Sequence, residues 1–100
     1  MQKPGALFHV ITVKKLRRYR QTGYIRKPVR GFDTLTAAMA WAMRVCRQVI
    51  VRIDLSEIDP DRIHKMPDHH SQFGEAWWVD ENVPFEFLEV IYNSVKEVEP

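Results

Sequence analysis

The sequence has a single cysteine, Cys46, so no disulfide can close within the chain. One thiol fits a reducing compartment, and the expected location is cytoplasmic. No apolar run approaches the ~20 residues that cross a bilayer, and the start, MQKPGALFHV, has no apolar signal core. No membrane partner is expected. Glycine is scarce, at four residues, and none of them builds a GxGxxG or P-loop turn that would cradle phosphates. GxSxG, HExxH and paired CxxC are also missing, which removes the nucleophile elbow and the common zinc patterns. Acid is nearly absent from the first half. Residues 1–52 hold 12 Lys/Arg against Asp33 alone, whereas residues 53–100 hold 3 Lys/Arg against 12 acids. The net charge of +2 therefore hides a strongly polar distribution. Either the two halves pack and neutralise each other, or a basic face lies beside an acidic strip.

What is present fits one domain over residues 1–100, with 1–6 and 96–100 as tails. Leu7–Thr12 is apolar and β-branched and predicts a strand. Val13–Thr22 predicts a helix with Leu16 and Tyr19 on its apolar stripe, ended by Gly23 in the left-handed conformation. Residues 24–33 predict a loop or a short edge strand, because Pro28 cannot donate to a central ladder. Asp33 or Thr34 caps a second helix, LTAAMAWAMRVCR, whose expected core stripe is Leu35, Ala38, Met39, Ala42, Met43 and Cys46. Strands are expected at 48–55, 75–80 and 89–95, an irregular connection at 56–74, and one helical turn led by Pro84. This order is α+β: a small split antiparallel sheet of about four to six strands with two short helices.

Three groups of residues bear on function. His9 sits inside the first strand. It reads either as a core or surface residue with one satisfied hydrogen bond, or as a neutral partner for a ribose hydroxyl. Lys14, Lys15, Arg17, Arg18, Arg20, Arg26, Lys27 and Arg30 put eight cations in 17 residues with no acid among them, and Tyr19 and Tyr24 are interleaved. Solvated faces usually mix signs, so this stretch points to phosphate. His64, Asp68, His69, His70, Gln72 and Glu75 gather polar donors, but their spacing matches no standard zinc pattern, and no metal is expected. Glu75 opens a strand, where a carboxylate is either solvated or placed to stabilise developing positive charge. Trp77 and Trp78 point to opposite faces of that strand, so one is core.

The order of these pieces resembles the ADP-ribosyltransferase superfold. The likeness is to its small DNA-targeting toxins and, more distantly, to the tRNA 2′-phosphotransferases. It rests on Phe8-His9, Leu16 and Gly23 in FHVITVKKLRRYRQTG. It continues in FDTLTAAMAWA with QVIVRIDL, and in Glu75, Val79, Val83-Pro84, Glu86 and Leu88 of GEAWWVDENVPFEFLEVI. The resemblance implies NAD as substrate and transfer of ADP-ribose to nucleic acid or protein. It implies His9 at the NAD ribose and Glu75 as the catalytic glutamate. Thr12 and Gln72 would stand near the nucleotide, and Arg30 near its diphosphate. The alternative is a non-catalytic nucleic-acid-binding module that uses the basic segment 14–30. A third reading pairs the oppositely charged halves between copies in a homo-oligomer.

Overall fold

The computed structural model describes residues 2–67 and 72–95. Asp68, His69 and His70 of the histidine cluster, and the 96–100 tail, lie outside them. The architecture is α+β, with two helices, a six-stranded antiparallel sheet and a separate two-stranded one. Strand β1 covers Ala6–Ile11 and helix α1 covers Val13–Thr22. Thr12 caps α1, its hydroxyl accepting from the Lys15 N–H at 3.2 Å. Gly23 ends it at φ 87°, a conformation that only glycine reaches without steric cost. Leu16 and Tyr19 are its buried face, as the spacing predicts.

Strands β2 (Tyr24–Ile25), β3 (Val29–Phe32) and β4 (Val49–Asp54) flank helix α2 (Leu35–Val45). After β4 come a 3-10 turn at Pro60–Arg62, β5 (Ile63–Lys65) and β6 (Ala76–Val79). The chain finishes with β7 (Val83–Pro84), a 3-10 turn at Phe85–Phe87 and β8 (Leu88–Asn93). The main sheet runs β5-β6-β3-β1-β4-β8, and β2 pairs with β7.

Two apolar clusters sandwich the sheet. Leu7, Ile11, Val51 and Trp77 face the side covered by α1 and the β2–β7 pair, with Leu16 and Tyr19 reaching in from α1. Val10, Phe32, Ile50 and Ala76 face α2. The alternation along β1 and β4 follows from the two-residue period of a strand.

Four expectations are corrected. Residues 29–32 are a central strand between β6 and β1, not an edge or a loop. Pro28 precedes the strand, so its missing N–H is never asked to join the ladder. The 56–74 connection is not wholly irregular, since β5 forms within it and pairs with β6. The buried face of α2 is Ala37, Ala38 and Ala42, flanked by partly buried Trp41 and Val45. Met39 and Met43 lie outside it, Met43 at 80% exposure, and Leu35 is exposed as well. Alanine lets the helix axis approach the sheet closely, and the bulkier methionines turn outward. Cys46 is not core. It is the exposed C-cap of α2 at φ 56°, which rotates it off the helical stripe.

Candidate functional site

The ladders on either side of β1 differ sharply. β1 pairs with β4 through six residues, Ala6↔Asp54 to Ile11↔Val49. With β3 it registers only at Phe8↔Phe32. The two strands part beyond that pair, and the sheet splits. Carbonyls along a split lose their ladder partners and need substitutes. Side chains supply them here. The His9 ring bonds the Arg30 carbonyl through Nδ1, and the Arg47 guanidinium donates to the Val10 carbonyl at 3.3 Å.

These contacts set the tautomer of His9. A carbonyl can only accept, so Nδ1 carries a proton, and in the neutral ring Nε2 is then the bare nitrogen. The Tyr19 hydroxyl lies 3.4 Å from Nε2 and donates to it, with the two rings stacked at a 6.1 Å centroid separation. Burial, then the charges of Lys15 and Arg47, lower the His9 pKa to about 4, against an opposing contribution from the Arg30 carbonyl. The ring is therefore neutral at pH 7. Burial raises the Tyr19 phenol above its ordinary value, so it too stays uncharged.

A cleft of about 450 Å³ lies along this split. Residues from both sides of the sheet line it. Tyr19 and Ile25 come from the α1 side, while Phe32, Ala76 and Trp41 come from the α2 side. Four cations line it, Lys15, Arg26, Arg30 and Arg47. Among the described residues no carboxylate does. Such a cleft attracts anions, and its low-dielectric walls strengthen the attraction. It offers one histidine and no carboxylate or thiolate to a metal. No group of three or more metal-binding side chains assembles among the described residues.

Of the residues singled out from sequence, His9, Lys15, Arg26 and Arg30 meet in this cleft. Lys14, Arg17, Arg18 and Arg20 lie on the exposed surface of α1, and Lys27 is exposed in the loop that follows. Thr12 is occupied as a helix cap. Gln72 is exposed in a turn. Glu75 stands apart from the cleft lining. Its carboxylate is 3.0 Å from the Lys65 ammonium and about half exposed. The shared level of Phe8, Phe32 and Ala76 puts the His9 and Glu75 backbones about 12 Å apart, from two strand spacings and two residue rises.

An anchor holds Glu75 in that position. The Asp33 carboxylate accepts from the Glu75 N–H at 2.8 Å and from the Trp77 indole at 3.3 Å. Thr34 caps α2 and donates to the Phe73 carbonyl at 2.6 Å. Gly74 passes so close that a Cβ would sit 2.5 Å from the Thr34 hydroxyl. Trp77 is the core tryptophan, and Trp78 packs on the His64 ring at 4.5 Å.

Sequence reasoning missed Arg47 and Trp41. The signal for Trp41 was present: positions 37, 38, 41, 42 and 45 make an equally good helical stripe, and only this one includes it. Arg47 carries no such signal, since its role follows from strands that part. Among the described residues, no helix is long and apolar enough to cross a membrane. Comparison with protein-family models, with curated proteins and with solved structures finds no match.

Proposed function

We propose that this protein binds a phosphorylated nucleotide in the β1–β3 cleft, NAD being the ligand that the sequence resemblance favours. One observation carries the reading: four cations and no described carboxylate surround a neutral histidine in a cleft of about 450 Å³. The cations would neutralise phosphate oxygens. Tyr19 donates its O–H to His9 Nε2 in a hydrogen bond, which leaves lone pairs on the phenol oxygen to accept from a ribose hydroxyl.

Breaking a nicotinamide–ribose bond builds positive charge on the sugar, and a cationic cleft opposes that charge. Transfer of ADP-ribose therefore requires the nicotinamide ribose to lie beyond the cleft, over β6 beside Glu75. Binding and turnover are separable. Calorimetry at low salt with NAD, ADP-ribose and ADP should show binding that Arg26→Ala with Arg30→Ala removes. Failure of all three ligands to bind at millimolar concentration overturns the reading. Nicotinamide release that Glu75→Gln abolishes, with binding kept and ADP-ribose recovered on an acceptor rather than free in solution, identifies the transferase; binding without release identifies a nucleotide-binding domain.

The outer surface of α1 favours a second reading. Lys14, Arg17 and Arg18 are exposed there, outside the cleft and on its basic side. A nucleic-acid strand tracking that surface would bind with a steep salt dependence. Charge reversal at Arg17 and Arg18 should weaken oligonucleotide binding and spare NAD.

A further inference from the structure

Trp41 is an outlier on its own helix. The residues of α2 buried against the sheet are alanines, which bring the helix close. Trp41 shares their stripe, is half-buried, and lines the cleft at its α2 side. Phe32 braces it, with ring centroids 6.2 Å apart and planes at 51°. Met66, the polarisable side chain that suits aromatic neighbours, lines the same cleft. Arg47 joins them as a cation, held 3.3 Å from the Val10 carbonyl. An apolar aromatic wall and a guanidinium thus stand together where the strands part.

We infer that Trp41, braced by Phe32, is a stacking subsite for the base of a nucleotide whose phosphates meet Arg47 and Arg30. The inference rests on the nucleotide reading above and deepens it, because it assigns the base as well as the anion. A cleft built for inorganic phosphate alone would have no use for a braced indole. The tilted Phe32 ring fixes the indole in place at little entropic cost, and any base has a face to stack on an indole.

The test compares AMP with ribose 5-phosphate, two ligands that share the sugar phosphate and differ at C1′, where one carries the base and the other a hydroxyl. Calorimetry in low-salt, phosphate-free buffer on the full chain gives both affinities. The expected result is AMP binding about five- to hundredfold more tightly, the range that one stacked base contributes. Trp41→Ala should erase that advantage while leaving ribose 5-phosphate affinity unchanged, and Trp41→Phe should keep most of it. A purely structural Trp41 would lower both affinities by the same factor, and that result overturns the subsite. Equal affinities for the two ligands in the unaltered protein overturn it too, while the anion cleft stands. Binding of neither ligand, nor of ADP or pyrophosphate, overturns the nucleotide reading and this inference with it. If Trp41→Ala does not fold, as read by circular dichroism, the Trp41→Phe comparison and the AMP-to-ribose 5-phosphate ratio of the unaltered protein decide.

Discussion

His9 should make this fold acid-sensitive, in a window set by its two pKa values. In the unfolded chain the imidazole titrates near 6.5, and in the folded one near 4. Well above pH 6.5 the ring is neutral in both states and pH has no leverage through it. Below that, the unfolded state takes up a proton that the folded state refuses, so stability falls as pH falls. The slope approaches about 1.4 kcal/mol per pH unit, which accumulates to about 3 kcal/mol by pH 4. That figure is an upper bound, because the ring is only half-buried and solvent screens part of the cost. Below pH 4 both states are protonated and the loss levels off. His9→Asn keeps an N–H where Nδ1 meets the Arg30 carbonyl and removes the titration. Urea unfolding followed by tryptophan fluorescence, from pH 7 to pH 4 in phosphate-free buffer, gives both stability profiles. Carboxylates titrate alike in the two proteins and cancel in the difference. The gap between the curves should change by about 2–3 kcal/mol between pH 6.5 and 4, in favour of the variant at low pH. Parallel curves would refute the half-buried, neutral histidine.

Three further substitutions probe the scaffold. Gly31→Ala places a Cβ 2.9 Å from the Phe8 carbonyl, which is backbone and cannot yield, so urea unfolding should show a loss of about 1–3 kcal/mol. Asp33→Ala strips acceptors from the Glu75 N–H and the Trp77 indole; a loss of about 2 kcal/mol or more is expected by the same assay, with a smaller loss for Asp33→Asn. Cys46→Gly should raise stability by about 1 kcal/mol, because the residue is exposed and its φ of 56° strains any side chain.

The elements were largely legible because each carries its own local chemistry. Thr12, Leu16, Tyr19 and Gly23 define α1 by cap, stripe and stop, and no distant residue is needed to read them. β4 is legible for the same reason, being a run of β-branched residues. Cys46 apart, which leaves the stripe through its own left-handed φ, the differences come from tertiary context. Pro28 excludes a central strand only where the strand contains it, and β3 begins one residue later. Methionine and alanine stripes both fit the α2 periodicity, and close packing on a sheet selects the smaller alanine at the contact. β5 is three residues long and exists because β6 lies beside it. The site follows the same rule. The cations were visible as a run, but only the fold separates Lys15, Arg26 and Arg30 in the cleft from Lys14 and Arg18 outside it.

The cleft residues also hold the fold open. Where β1 leaves β3, the Arg30 and Val10 carbonyls would be orphaned, and His9 and Arg47 satisfy them. A site built this way has its stability and its binding coupled. An anion that draws the Arg47 guanidinium from Val10 takes away a hydrogen bond to a part-buried carbonyl, a net loss of about 1.5–3 kcal/mol from the binding energy. Lys15 and Arg26 have no such structural task among the described residues, so an anion engages them without that cost. Phosphate held by Lys15 and Arg26 should therefore bind at full strength. Engagement of Arg47 reports a ligand with more to offer at that side, which is where Trp41 stands.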